Sequence, residues 1–219
     1  MARYEIDLSE SGARQALVKA YKNACELRLN ELSSGNVSCR FKDGMLISPT
    51  GASIESINED SVVFIDAAQR WSAEQKPSSE WQLHAAVYRD NPEANAVVHT
   101  HSDHCVAVAC NAKPLPGFHY LVGLFGGNDV PCVRYSTFGS VRLAEDVAAA
   151  LRDRSACLMS NHGMTCRGRD LDAAVKLAQR LEIMCRQYIL SRALGEPTRL
   201  TDAEWSEFFE KIKEMRYGA

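Results

Sequence analysis

Strand-length apolar runs and helix-length amphipathic stretches alternate along this chain without a break in composition. That interleaving predicts one α/β domain over residues 1–219. From Ser9 to Leu29 the residues Ala13, Leu17, Ala20, Tyr21, Ala24 and Leu27 recur at spacings of three and four, an amphipathic helix with Ser9 or Ser11 as its cap. The cluster Ser33-Ser34-Gly35-Asn36 marks a turn into an alternating strand, Val37 to Phe41. Lys42-Asp43-Gly44 reads as a hairpin turn into Met45-Leu46-Ile47, and Ser61 to Ile65 as a third strand. A periodic helix runs from Trp81 to about Tyr88, stopped by Asn91-Pro92. A short apolar strand, Ala96 to His101, precedes a helix from Asp103 to Cys110. Further strands fall at Val130 to Tyr135 and Ala156 to Cys166, and helices from Leu171 to about Ala193 and from Asp202 to about Met215 close the chain.

The composition, 46% hydrophobic and 24% charged, is that of a chain able to bury a core. A net charge of −3 with no Lys/Arg run argues against a nucleic-acid binder, so an anionic ligand has to be held by local groups. No apolar run is long enough to span a bilayer, and Met1 to Asp7 lack the apolar core of a signal peptide. Eight cysteines are scattered with no Cys-x-x-Cys pair, which predicts reduced, mostly buried thiols in a cytoplasmic protein.

The informative histidines are His99 and His101. On a strand, residues two apart project from one face, so their imidazoles can share an ion, and tetrahedral zinc accepts such nitrogens. His162 follows a strand-like segment and precedes Gly163, a pattern typical of close backbone approach. Glu80 opens a helix behind Ser78-Ser79, either of which can serve as N-cap. Each has a bland alternative: Glu80 as a first-turn carboxylate favoured by the helix dipole, His162 as a hydrogen-bonded core histidine. Spacing alone does not separate these.

Gly35-Asn36, Thr50-Gly51 and Ser78-Ser79 are small polar clusters at turns or at a helix mouth. Free backbone N–H groups at such places suit a phosphate without lysines.

Taken in order, Gly35-Asn36-Val37-Ser38, Leu46-Ile47-Ser48-Pro49-Thr50-Gly51, Pro77-Ser78-Ser79-Glu80, His99-Thr100-His101 and Asn161-His162-Gly163 resemble the class II aldolase/adducin family. The likeness extends over nearly the whole chain and includes Gly126-Gly127-Asn128 and Tyr135-Ser136-Thr137-Phe138-Gly139. It implies an α/β fold with a central, mainly antiparallel β-sheet flanked by helices. It also implies a homotetramer with active sites at subunit interfaces.

By position, the resemblance makes His99, His101, His162 and Glu80 the ligands of one zinc ion per subunit, which cobalt or manganese can replace. Asn36, Thr50, Gly51, Ser78 and Ser79 take the phosphate of a small phosphorylated ketose. Glu80 becomes the base once substrate displaces it from the metal, with a pKa raised by poor solvation. Tyr120, reaching a neighbouring subunit's site, donates a proton to the aldehyde oxygen, and Tyr217 in the tail is a looser match to a tyrosine of stereocontrol. The implied reaction is reversible retro-aldol cleavage to dihydroxyacetone phosphate and a small aldehyde through a metal-stabilised enediolate. L-Fuculose 1-phosphate leads 5-deoxyribulose 1-phosphate and 5-methylthioribulose 1-phosphate as substrate. The family's epimerases carry Asp where this chain has Glu80, which favours the aldolase; a dehydratase, a decarboxylase and a non-catalytic adducin-like scaffold are the rival readings.

Overall fold

The computed structural model of the protein describes residues 9–215. The readings placed on Met1 to Asp7 and on Tyr217 lie outside the described residues. The first helix, α1, spans Glu10–Glu26, and the Ser9 hydroxyl caps it by accepting the Gly12 N–H at 3.2 Å. Strands β1 (Asn36–Phe41) and β2 (Gly44–Ile47) form a hairpin, and β3 (Val63–Ile65) pairs with β2. Helix α2 (Trp81–Asp90), β4 (Ala96–Thr100) and α3 (Asp103–Ala109) follow. Then come β5 (Leu115–Pro116), a 3-10 turn at Tyr120–Phe125, β6 (Asp129–Val130) and β7 (Cys132–Val133). Helix α4 (Val141–Ala150), β8 (Ala156–Met159), β9 (Gly163–Gly168), α5 (Leu171–Ala193) and α6 (Asp202–Met215) complete the order.

Seven strands form one sheet in the order β3-β2-β1-β4-β9-β8-β7, antiparallel except for β7 beside β8. Alternation along the strands divides the core into two layers. Val37, Cys39, Leu46, Ala96, Val98, Ala156 and Leu158 pack with α1, α3 and α5 on one face. Met45, Ile47, Val97, Cys157 and Met159 pack with α2 and α4 on the other.

Two local expectations are corrected and one helix is added. The strand expected from Val130 to Tyr135 is cut into β6 and β7, which belong to different sheets, because Pro131 between them lacks the N–H that a continuous ladder needs. Neither Ser78 nor Ser79 caps α2: Glu80 occupies the N-cap position without a side-chain cap bond, and the Ser78 hydroxyl accepts the Glu80 N–H at 3.3 Å. The Glu80 carboxylate makes no bond to the helix end and faces His99 and His162 instead. Helix α4 was not foreseen; its Leu143, Ala144, Val147 and Ala148 bury a regular stripe against α2.

Candidate active site

Strand β4 lies at the middle of the sheet, with β1 on one side and β9 on the other. His99 is directly opposite Asn36 of β1 and Thr165 of β9. His101 stands one residue beyond the end of β4, yet its Nε2 lies 2.9 Å from Nε2 of His99. His162 arrives from the β8–β9 turn, where Asn161 takes the left-handed backbone (φ 54°) and the His162 N–H donates to the Met159 carbonyl at 3.0 Å. Gly163 is required next, since a Cβ there would stand 2.3 Å from the Thr100 carbonyl oxygen and 2.9 Å from Cδ2 of His101. The three imidazole rings pack with centroids 4.8–4.9 Å apart.

Glu80 completes the group. Its Oε2 lies 3.1 Å from His99 Nε2, and its Oε1 lies 3.5 Å from His162 Nε2. All four donor atoms fall within 4.8 Å of one another. The chemistry of this set fits a divalent metal. Three borderline nitrogens and one carboxylate oxygen are a familiar zinc donor set, and Glu80 Oε1 is buried with no hydrogen-bond partner. The Nδ1–H of His99 donates to the Met164 carbonyl at 2.9 Å, which turns Nε2 toward the common centre.

The electrostatics agree with ligand chemistry. Burial lowers His101 and His162, with neighbouring His99 adding to it, and both fall to about 4, so their lone pairs are free at neutral pH. For His99 burial acts downward too, but the Glu80 charge and hydrogen bond outweigh it and raise the ring. Burial would raise Glu80; the charge and hydrogen bond of His99, then His162 and the Asn36 amide, hold it well below the ordinary carboxylate range instead. As folded here, Glu80 is ionised.

The cluster opens into a cleft of about 320 Å³. Asn36, Thr50, Gly51, Ser78 and Ser79, expected at the phosphate, all line it, together with Glu80, His101 and His162. Gly35 (φ +84°) turns the chain into β1 there, and a Cβ would collide with the Asn30 side chain. Gly51 (φ +68°) has nothing near its Cβ position, so the cleft stays open above it. A larger hollow of about 500 Å³ between α2, α4 and the β2–β3 edge holds, among the described residues, no convergence of metal donors.

Tyr120 is not brought to this cleft within one chain. It lies on the 3-10 turn, 52% exposed, beside Phe208 and Lys211 of α6. Tyr135 and Phe138 border the cleft and are both largely exposed.

The sequence pattern described as Class II Aldolase and Adducin N-terminal domain matches residues 15–189. The chain belongs to the class II aldolase and adducin family. It is an aldolase, a carbon–carbon lyase. A curated relative in this aldolase family, L-fuculose phosphate aldolase of Escherichia coli O6:H1, is 43% identical over 188 residues, 85% of this chain and 87% of that protein. The 5-methylthioribulose-1-phosphate/5-deoxyribulose-1-phosphate aldolase of Rhodospirillum rubrum is 39% identical over 205 residues, 94% of this chain and 93% of that one. Among solved structures, an L-fuculose 1-phosphate aldolase superposes with a TM-score of 0.88 at 32% identity, covering 95% of this chain and 99% of its own.

Sequence reasoning passed over His84, which is fully buried behind the cleft against Asn36 and Ser38. The signal was present: His84 lies four residues beyond Glu80, on the same side of one helix.

Proposed function

We propose that the cleft is the active site of a zinc-dependent ketose-1-phosphate aldolase. The carrying observation is the convergence of His99, His101, His162 and Glu80 within 4.8 Å at the floor of a cleft lined by neutral phosphate-type donors. Its substrate is a small phosphorylated ketose, cleaved to dihydroxyacetone phosphate and a small aldehyde. The candidates are L-fuculose 1-phosphate, 5-deoxyribulose 1-phosphate and 5-methylthioribulose 1-phosphate, supported by the names of similar aldolases. The residues form one domain, acting in the cytoplasm; the eight cysteines, all free, are consistent with a reducing compartment. Among the described residues no helix is long and apolar enough to cross a membrane.

His99, His101 and His162 would hold the zinc, which when bound would supply Lewis acidity toward the negative charge that develops on the ketose oxygens. The Asn36 amide, the hydroxyls of Thr50, Ser78 and Ser79 and the backbone at Gly51 hold the phosphate and fix the pose. Glu80 exchanges the proton at the carbon whose bond to the aldehyde carbon breaks, and burial is the influence that raises its basicity once it leaves the histidines. Tyr120 handles the proton on the aldehyde oxygen from a neighbouring subunit of a homotetramer. Its exposure on a turn outside its own chain's cleft supports that reading.

The test is a coupled assay for dihydroxyacetone phosphate release from the three ketose 1-phosphates, with and without a chelator. Release that chelation abolishes and zinc restores is the expected result, and relative rates name the substrate. No release from protein carrying stoichiometric zinc would transfer the assignment to dehydratase or decarboxylase chemistry.

A further inference from the structure

Helix α2 carries Glu80, His84 and Tyr88 at intervals of four, one stripe along its surface; Glu80 itself sits at the helix cap. Strand β1 carries Asn36 and Ser38 at an interval of two, one face of the sheet. Where stripe and face meet, they form a continuous buried chain of polar groups. Tyr88 Oη lies 2.7 Å from Ser38 Oγ, and Ser38 Oγ lies 2.6 Å from His84 Nδ1. His84 Nε2 rests against Asn36 Oδ1, and Asn36 Nδ2 lies 3.1 Å from Glu80 Oε2. All five side chains are buried.

Donor and acceptor accounting fixes the direction of every bond. An ionised carboxylate only accepts, so Asn36 presents its amide nitrogen to Glu80 and its carbonyl oxygen to His84. That makes His84 Nε2 the donor of its pair. Complete burial, with His99 adding to it and Glu80 opposing, pushes His84 down to about 3, so the ring is neutral and Nδ1 accepts. The Ser38 hydroxyl therefore donates to Nδ1, and the Tyr88 hydroxyl donates to Ser38. An Asn side chain is nearly symmetric in shape, and only its partners tell oxygen from nitrogen. A flipped Asn36 would set oxygen against the Glu80 carboxylate and NH2 against the His84 N–H, and both contacts would repel.

We propose that His84, itself held by Ser38 and Tyr88, is a positioning residue that locks the Asn36 amide and through it the Glu80 carboxylate at the metal centre. This rests on the reading of the cleft as a zinc site. His84 acts only through Asn36. That distinguishes it from a histidine whose role is to fill the core.

The test is a double-mutant cycle on the full-length protein, read as zinc affinity by competition with a chelating dye and as kcat for the ketose 1-phosphate. His84→Leu is expected to weaken zinc about tenfold, the lower end of what orienting partners of metal ligands contribute. In an Asn36→Ala background the same change is expected to cost nothing further, because the link it acts through is already gone. His84→Gln, which can accept from Ser38 and donate to Asn36, restores affinity to within about threefold. Equal losses in both backgrounds, or unchanged affinity in His84→Leu, would overturn the proposal. Should His84→Leu fail to fold, Tyr88→Phe carries the same cycle: a loss confined to the Asn36 background supports the lock, and an equal loss in both refutes it. A wild-type protein that binds zinc but releases no dihydroxyacetone phosphate would sink the aldolase assignment, while the zinc-affinity cycle would still decide the role of His84.

Discussion

Asn36 and His99 stand directly opposite each other across the antiparallel pairing of β1 and β4. A residue lining the cleft and a histidine of the four-donor cluster thus share one rung of the sheet, and the second rung along sets Ser38 against Val97. Their spacing is imposed by backbone register, so the site can be disturbed without touching any of its donors.

Gly163 gives the most direct test of that coupling. Its Cβ position stands 2.3 Å from the Thr100 carbonyl oxygen, so Gly163→Ala must push β9 away from β4 and carry His162 with it. The expected cost is about 1–3 kcal/mol of stability, read as a fall of about 2–12 °C in Tm, together with weaker zinc binding. A variant with wild-type Tm and zinc content would show that the strands tolerate the added methyl and that the close approach has no role.

Glu80 and His162 should fail in different ways. Partners of metal ligands are worth about 10–100-fold in affinity, so loss of a ligand in His162→Ala is expected to cost more than about 100-fold, visible as zinc missing from the purified protein. Glu80→Gln keeps shape and three histidines and is expected to bind zinc about tenfold or more weakly, still loading it at saturating metal, while kcat drops about 10²–10⁴-fold. Near-normal turnover in zinc-loaded Glu80→Gln would remove Glu80 as the base.

The metal-free protein should lose stability as it is acidified below pH 6.5. His84, His101 and His162 have folded pKa values depressed to about 3, about 4 and about 4, so below 6.5 the unfolded chain takes up protons that the folded one refuses. Depressed histidines give stability that is complete above the unfolded value and declines as pH falls toward the folded value. The buried His84 alone accounts for about 1.4 kcal/mol per pH unit in that window. His99 is raised and is protonated in both states below 6.5, so it does not offset the loss there; Glu80, depressed, adds its own loss below its unfolded value of 4.5. Thermal melts of chelated protein from about pH 6.5 down to about 5 should show a steady decline in Tm, and a flat or rising profile over that window would contradict these assignments.

Tyr120 is expected to matter only between subunits. Tyr120→Phe should lower kcat about 10–100-fold, within the usual worth of a positioned acid or somewhat below it, with zinc content and Tm unchanged. Refolding Tyr120→Phe together with Glu80→Gln should regenerate some sites that hold both native side chains. Recovery of activity in the mixture over either variant alone is the decisive readout, and its absence would place Tyr120 outside the reaction.

Much of the fold was legible in local pattern. The α1 stripe, the β1–β2 hairpin, and the spans of α5 and of α6 within the described residues follow from periodicity and caps that act within a few residues. The pairing of His99 with His101 was readable for the same reason, although His101 reaches the centre from just past the strand end. The break at Pro131 and the burial of α4 were not read, because both depend on which neighbours the sheet supplies.

The sequence by itself determined the donor types and their local spacing: imidazoles two apart, a carboxylate at a helix mouth, glycines where the backbone must turn. Those are properties of a few consecutive residues. The tertiary structure alone decided that the β8–β9 turn delivers His162 to the other two rings and that Glu80, not Ser78 or Ser79, takes the N-cap position of α2. It also decided that a stripe of α2 meets one face of β1 to bury Tyr88, Ser38, His84 and Asn36 behind the carboxylate. Register between strands and the seating of a helix on a sheet are fixed by packing summed over the whole core, which no short stretch of sequence contains.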